Sequence, residues 1–337
     1  MDKLLPIGTI LSMCASRTKL RYLGFTAGVL IALLVSPVAA QKPQDAGTNP
    51  AFPENPFIPK GFGGDPAQFF EQMFGKATPE EEKTLEAVKI SFKEEREFGN
   101  PQVEAFLAQL EEQGLRVLRK GKNVDYLKKL VDTIHPFMTN ARRYQKIKVY
   151  LVDSPRVDAR CFPGGTLFFF KGLLSFAENE AAVIGIVGHE LSHLDRGHLL
   201  LPLKRAKVAQ RTIEDGAAGF DPAKFFTTGT TMMRLMSRPF HPEDESAADH
   251  DGAAWAYRAD YDPRELAALF LKLHQRDKDP KVPFASFFRT HPYSDDRHDA
   301  IMKQYDELEQ NEPREPLYRG RQNLVGRIPR SQQVFPE

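Results

Sequence analysis

Residues 180–198 read EAAVIGIVGHELSHLDRGH, and this stretch decides the fold. Its aliphatic positions leave almost no polar face, which is typical of a helix buried on all sides. Two histidines and one glutamate, His189, Glu190 and His193, interrupt the apolar pattern. Burying two imidazoles and a carboxylate is costly unless they have partners, so the stretch predicts a site as well as a helix.

The spacing of the two histidines suits a metal ion. A helix advances by about 100° per residue, so His189 and His193 lie one turn apart and both imidazoles can reach one cation. Glu190 points aside from that pair and can hold a water molecule without taking a ligand position, as a general base must. The alternative is a pair of core histidines that hydrogen-bond to the backbone.

A catalytic zinc site also needs a third protein ligand and an open position. The pattern HExxHxxGxxH is excluded, because Arg196 and Leu199 stand where it requires glycine and histidine. His198 misses that pattern by one residue, and we expect it to cap or hydrogen-bond the end of its own helix.

Glu245 is the better candidate for the third ligand. It begins the segment ESAAD at 245–249, in a second helix whose small residues let two helix backbones approach closely. Asp249 lies one turn further on and could accept the free ring N–H of a liganding histidine. Helical geometry alone leaves open the alternative of a solvated acidic turn.

Two further segments carry weaker signals. Residues 160–168, RCFPGGTLF, could form an edge strand that offers backbone groups to an extended peptide, with an ordinary hairpin as the alternative. His291 lies in THPY at 290–293, on a turn before a helix, where a lone histidine is more often a cap than a catalyst.

The first forty residues have the pattern of a secretory signal peptide. Basic residues up to Arg21 precede the apolar run 23–35, and small residues follow as far as Ala40. We expect cleavage after Ala40 and an exported protein, periplasmic or otherwise extracytoplasmic. Retention of this segment as an N-terminal membrane anchor is the alternative. Cleavage leaves Cys161 without a cysteine partner in the chain.

The remaining chain divides into three parts. Residues 41–77 are rich in proline and phenylalanine and predict a linker or an irregular wrap. Residues 78–310 predict one mostly helical domain that contains the candidate metal site, and residues 311–337 predict an irregular C-terminal tail.

Local patterns place several elements inside the domain. Thr78-Pro79 and Asn100-Pro101 each pair an N-cap residue with proline at the first helical position, so both predict helix starts. A third helix is predicted to open near Asn123. Strands are predicted at 147–151 and 166–170, where alternation or a short apolar run replaces the helical period.

Composition narrows the functional classes. The 337 residues include 46 Lys+Arg and 45 Asp+Glu, which gives a formal net charge of +1. This balance argues against a dedicated nucleic-acid binder, because such proteins usually carry a cationic excess. A mean hydropathy of −0.43 argues against a polytopic membrane protein.

Taken in order, the motifs resemble the HtpX-like and CAAX prenyl endopeptidase family of zinc metallopeptidases, and more narrowly its soluble, exported members of the periplasmic beta-barrel-assembly-enhancing type. The resemblance covers roughly residues 80–305. The motifs that carry it are Pro163-Gly164-Gly165, HELSH at 189–193 with His198, ESAAD at 245–249, and His291-Pro292 with Arg297.

The resemblance implies an α+β fold that is mostly α, a zincin-like metallopeptidase domain with a small antiparallel sheet beside the HExxH helix. It implies one Zn²⁺ per chain, held by His189, His193 and Glu245, with Glu190 as the general base. The other implied roles are hydrogen bonding behind the ligands for Asp249, transition-state stabilisation for His291, ordering of the site for Arg297, and substrate binding for Pro163, Gly164 and Gly165.

The expected activity is therefore hydrolysis of peptide bonds in exported or misfolded proteins. A zinc-bound, chaperone-like binding module with low or latent proteolytic activity is the alternative, and residues 217–240 would then be a lid rather than another core-packing helix. A non-peptide zinc hydrolase is disfavoured, because the candidate edge strand suits an extended chain. We expect polypeptide substrates and no nucleic-acid partner, and leave peripheral membrane association and the oligomeric state open.

Overall fold

The computed structural model describes residues 73–213, 238–278, 287–293, 295–314 and 316–337. The predicted signal peptide and most of the predicted linker lie outside these residues. Of the segment 217–240, only its last three residues are described. Within the described ranges, no helix combines the length and the hydropathy that a bilayer-spanning helix needs.

The described residues form a mostly helical domain with one small sheet, which confirms the predicted α+β class. The helices are α1 (Pro79–Glu86), α2 (Phe92–Glu112), α3 (Lys122–Ile134), α4 (Lys171–Phe176), α5 (Glu180–Arg196), α6 (Leu201–Ile213), α7 (Pro242–Arg258), α8 (Arg264–Asp277), α9 (Phe287–Thr290), α10 (Asp295–Asn311) and α11 (Arg321–Gly326). The strands are β1 (Val117–Leu118), β2 (Lys148–Val152), β3 (Ala159–Phe162) and β4 (Thr166–Phe170).

Two of the three predicted helix starts are confirmed. Helix α1 begins after Thr78, whose hydroxyl accepts a hydrogen bond from the backbone N–H of Glu81 at 3.3 Å. Helix α3 begins at Lys122, one residue before the predicted Asn123. In both cases the signal is local, so the sequence is sufficient to find it.

The helix start predicted at Asn100 is wrong. Helix α2 runs through Pro101 and starts after Ser91, which forms a capping box with Glu94. The capping box supplies partners for the backbone N–H groups of the first turn. Burial of the apolar face around Phe98 stabilises the continuous helix enough to offset the hydrogen bond that Pro101 cannot make.

The sheet is mixed, which corrects the predicted antiparallel arrangement. Its strand order is β1-β2-β4-β3, with β4 antiparallel to β3 and parallel to β2. Strand β4, sequence TLFFF, is buried at every position and therefore favours the centre of the sheet. The hairpin between β3 and β4 makes these two strands antiparallel, whereas β4 and β2, which are not consecutive in the chain, run in the same direction. Strand β3 is left at the edge of the described sheet, next to α5.

Helices α5 and α7 touch through their backbones at the centre of the domain. A Cβ atom at Gly188 would lie 2.8 Å from the Cα atom of Gly252, and one at Gly252 would lie 2.9 Å from the backbone nitrogen of His189. Both separations are too short for a larger residue. The small residues of the second helix therefore have the packing role that the sequence predicts for them.

The C-terminal tail covers the first turn of α5. The carbonyl oxygens of Gly320 and Arg319 accept hydrogen bonds from the backbone N–H groups of Glu180 and Ala181, at 3.2 and 2.9 Å. The Glu180 carboxylate accepts the backbone N–H of Arg330 at 2.9 Å. The tail, predicted to be irregular, includes the short helix α11 and supplies partners that a helix N-terminus otherwise lacks.

Candidate metal centre

Four side chains from three segments converge in the interior of the domain. His189 and His193 come from α5, Glu245 from the first turn of α7, and His291 from the residue after α9. One potential ligand atom of each residue lies within 4.8 Å of the others. All four residues are at most 1% exposed. The structure thus brings the three predicted ligands together and adds His291 to them.

The facing atoms are close enough to share one cation. Nε2 of His193 lies 3.1 Å from Nε2 of His189 and 3.4 Å from Oε1 of Glu245. Nδ1 of His291 lies 3.1 Å from Nε2 of His189 and 3.0 Å from Oε1 of Glu245. In the tautomers that leave the facing nitrogen of each ring unprotonated, three imidazole lone pairs and a carboxylate oxygen face one another. A bound cation would satisfy them, and the donor set fits a divalent metal such as zinc.

The protonation states of the cluster also suit metal ligands. Burial alone would raise the pKa of Glu245, but the neighbouring His291 and His189 imidazoles hold it well below its usual range. Burial lowers the pKa of His193 well below its usual range, so its ring is neutral. An ionised carboxylate and a neutral imidazole are the forms in which these side chains bind metals.

A carboxylate and a guanidinium support the cluster from behind. Oδ1 of Asp249 lies 2.9 Å from Nδ1 of His189, as predicted from the helical spacing. Arg297 donates from Nε to Oδ2 of Asp249 at 2.6 Å, and its Nη1 lies 2.6 Å from Oε2 of Glu245. The same Nη1 donates to the Pro292 carbonyl at 2.9 Å, which ties the turn that carries His291 to this arginine.

Glu190 lies beside the cluster as a buried carboxylate. It is fully buried, and neither of its oxygens has a hydrogen-bond partner among the described residues. Its Oε1 lies 3.4 Å from Nε2 of His291, so the His291 ring stands between Glu190 and the candidate ligands. Leaving a buried carboxylate without hydrogen bonds costs free energy, and such groups commonly have a functional explanation.

Strand β3 borders a small cavity of about 40 Å³ beside the cluster. Residues that line it include Arg160, Cys161, Phe162, Phe240 and His291. The Pro163–Gly165 turn does not line it and packs against α2, so close that a Cβ atom at Gly99 would lie 2.0 Å from the Pro163 carbonyl oxygen. Substrate binding by this turn stays a prediction, and the residues at the cavity belong to β3 itself. Burial raises the pKa of the Cys161 thiol well above its usual range, which disfavours thiolate chemistry there.

Comparison with known proteins adds an independent finding. A sequence model of the family described as "Peptidase family M48" matches residues 125–304, which is more than half of the chain. The chain belongs to peptidase family M48. Membership places it among the metallopeptidases, hydrolases that act on polypeptides, and agrees with the resemblance drawn from the motifs.

Curated relatives of this M48 peptidase match over less than half of the chain. The mitochondrial metalloendopeptidase OMA1 of Arabidopsis thaliana is 28% identical over 148 residues, which cover 43% of this chain and 29% of the relative. The beta-barrel assembly-enhancing protease of Yersinia pestis is 25% identical over 163 residues, which cover 44% of this chain and 32% of the relative. The chain therefore spans about a third of the length of these relatives.

Two contacts in the M48 peptidase go beyond the sequence-based predictions. Nδ1 of His198 lies 2.9 Å from Nδ1 of His193, so His198 hydrogen-bonds to the last turn of its own helix, as expected, and its partner there is a candidate ligand. Phe240 stacks on His193 and on His291, with ring centroids 3.8 and 5.2 Å apart. The five-residue spacing from His193 to His198 is a usable signal for the first contact. No local pattern marks the second, because Phe240 lies outside any regular element.

Proposed function

We propose that this M48 peptidase is a zinc-dependent endopeptidase, with one Zn²⁺ per chain held by His189, His193 and Glu245. The observation that carries the proposal is the unpartnered, buried Glu190 carboxylate beside a cluster of two imidazoles and an ionised carboxylate. A bound Zn²⁺ would lower the pKa of its water to about 7 and polarise the scissile carbonyl.

Glu190 is proposed as the general base. It would accept a proton from the attacking water and later deliver it to the nitrogen of the leaving amine. Its lack of hydrogen bonds supports this role, because a base must be free to receive a proton. The distance of 3.4 Å from its Oε1 to Nε2 of His291 supports this role, because a base must lie beside the cluster.

His291 is proposed to stabilise the negative charge that develops on the scissile carbonyl oxygen. Burial acts to lower its pKa, but the nearby Glu245 and Glu190 carboxylates raise it above its usual value. The ring is therefore a good hydrogen-bond donor. Donation to such an oxyanion is typically worth about 10²–10³ in rate.

Asp249 and Arg297 are proposed to orient the ligands. Asp249 would accept the Nδ1–H of His189, which leaves the Nε2 lone pair directed into the cluster. Arg297 contacts Asp249 and Glu245 together, so it would hold both carboxylates in place.

Exported or misfolded polypeptides are proposed as the substrates, bound in extended form along the edge strand β3. The signal-peptide pattern supports a location outside the cytoplasm, as do the names of the relatives, which are mitochondrial or assist beta-barrel assembly. We expect the intact mass of the mature chain to correspond to a start at Gln41. A mass that retains Met1 would instead favour the N-terminal anchor.

Degradation of casein with and without a chelator tests the proposed activity. We expect the zinc-loaded protein to cleave casein, the chelated protein to be inactive, and added Zn²⁺ to restore cleavage, because the base needs an activated water. Cleavage that survives complete removal of the metal would contradict the proposal.

A second candidate, a zinc-bound module with latent or low activity, is favoured by two contacts. His291 lies within ligand distance of the cluster, and Phe240 covers the rings of His193 and His291. A zinc site closed by four protein ligands has no open position for water. Stoichiometric zinc without any casein cleavage would support this candidate over the endopeptidase.

A further inference from the structure

We propose that Glu95 is a positioning residue of this peptidase, which fixes the edge strand β3 relative to α5 and thereby sets the affinity for extended peptides. The inference rests on the proposed function, because it requires a peptide that binds along β3. Glu95 lies on α2, a helix that contributes none of the candidate metal ligands.

Glu95 is a charged side chain in the protein interior, 1% exposed. Its Oε1 accepts the backbone N–H of Gly164 at 2.8 Å, within the turn that joins β3 to β4. The same oxygen lies 2.8 Å from the hydroxyl of Tyr144, which in turn lies 2.9 Å from the carbonyl oxygen of Leu194. The hydroxyl has one proton, so it donates to one of these two oxygens at a time and lies in contact with the other, which brings Glu95, the end of β3 and α5 together around one hydroxyl group.

The other carboxylate oxygen has its own partner. Oε2 of Glu95 accepts from Nε of Arg143 at 2.7 Å, and the same guanidinium donates from Nη1 to the Ile90 carbonyl at 2.9 Å. A buried ion pair is weak support for stability, since apolar side chains of similar volume often stabilise a core as well. What the ion pair adds is geometric specificity, because charge-assisted hydrogen bonds to the carboxylate hold donors from separate segments at defined positions.

The turn held by Glu95 has little freedom to move toward α2. Gly164 has a φ of +86°, and a Cβ atom there would lie 2.9 Å from Cγ of Arg96. Gly99 lies against the Pro163 carbonyl in the same way. The turn therefore already packs tightly against α2, and the hydrogen bond from Gly164 to Glu95 fixes its position along that helix.

The position of β3 matters because only one of its edges is paired within the described sheet. Strand β4 takes one edge, and residues 160–162 border the cavity beside His291. A peptide that adds to this edge would take its position from the backbone of β3. The metal cluster has a separate support, since the contact of Gly188 with Gly252 joins α5 to α7 directly.

The test compares peptides of two lengths. One is a fluorogenic peptide of about ten residues, which spans about 33 Å when extended, and the other is a blocked dipeptide amide too short to pair along β3. We expect Glu95→Ala to raise KM for the long peptide by about tenfold and to leave its kcat within about threefold, since binding rather than chemistry is disturbed. The kcat and KM for the short peptide and the zinc content of the protein should not change.

Three variants make the comparison specific. Glu95→Gln keeps an acceptor for Gly164 and should recover most of the affinity. Tyr144→Phe removes the hydroxyl that lies between Glu95 and the Leu194 carbonyl and should raise KM in the same direction as Glu95→Ala. Glu97→Gln, an exposed carboxylate two residues away on the same helix, is the matched control and should behave as wild type.

The outcomes separate this inference from the proposed function. Equal KM values for the long peptide in wild type and Glu95→Ala would overturn the inference, as would an equal loss of kcat on both peptides. If Glu95→Ala does not fold, Tyr144→Phe decides by the same criteria. If wild type cleaves neither peptide, the proposed function fails. Fluorescence anisotropy of the labelled long peptide then still tests whether Glu95→Ala weakens binding about tenfold and whether Tyr144→Phe weakens it in the same direction.

Discussion

Glu190→Gln is expected to lower kcat for peptide hydrolysis by about 10²–10⁴-fold while zinc stays bound. Glutamine has nearly the same size and shape as glutamate but cannot accept a proton at this pH. The substitution also removes the negative charge that lies 3.4 Å from Nε2 of His291, so the variant should unfold at a lower temperature than wild type, because one partner of a buried ion pair is lost. Kinetics on a fluorogenic peptide, metal analysis and thermal unfolding measure the three quantities.

The matched control for this variant is Glu111→Gln, an exposed carboxylate on α2. It should retain wild-type activity and zinc. Activity of Glu190→Gln within tenfold of wild type would exclude Glu190 as the base. Loss of zinc together with activity would instead place Glu190 among the ligands.

Glu245→Ala should abolish stoichiometric zinc binding and, with it, proteolysis. Removing a hydrogen-bond partner behind a ligand typically costs about 10–100-fold in metal affinity, and removing a ligand should cost more. The change also takes one of two carboxylate partners from Arg297, whose side chain is only 6% exposed. A lower unfolding temperature is therefore expected in addition to metal loss.

Metal analysis of purified protein, with wild type beside the variant, decides this prediction. Glu243→Ala is the control, because it removes a carboxylate from the same turn of α7 whose side chain is 62% exposed and contacts Lys76. Wild-type zinc content in Glu245→Ala would overturn the assignment of Glu245 as a ligand. Reduced zinc in both variants would point to a general effect on α7 rather than to a lost ligand.

The centre of the fold could be predicted because its signals are local. A buried helix with two histidines one turn apart is visible in nineteen consecutive residues, and the structure places that helix at 180–196. The small residues after Glu245 make it a candidate, since close helix contact needs them on at least one partner, and the resemblance to a known family favours it over a solvated acidic turn. Asp249 follows from Glu245 by helical spacing alone.

The parts that could not be predicted depend on contacts between distant segments. Pro101 predicts a helix start, but the capping box at Ser91 and burial of the helix determine the outcome. The parallel pairing of β2 with β4 depends on which strand the core covers on both faces. Glu95 lies in an ordinary amphipathic helix, and its contact with Gly164 joins residues 69 positions apart.

His291 shows both sides of this limit. Its sequence context, a histidine before proline on a helix-entry turn, does not distinguish a cap from a catalyst. Its place in the cluster is set by Arg297, which bonds to the neighbouring Pro292 carbonyl and to Asp249. The resemblance of the chain to a known family can indicate that His291 belongs to the cluster, whereas spacing along the chain cannot.

Main-chain contact between Gly188 and Gly252 limits how far the side chains of the candidate metal cluster can move relative to one another. Where two helices meet through side chains, rotamer changes can widen or narrow the gap between them. Here the gap is set by main-chain van der Waals radii, so the histidine pair and Glu245 take their spacing from the docking of α5 on α7. The loss of conformational entropy on gathering the ligands then belongs to folding rather than to metal uptake. If this cluster binds a metal as proposed, it would discriminate between ions by their radius and preferred geometry, because it has little capacity to adapt to a poor fit.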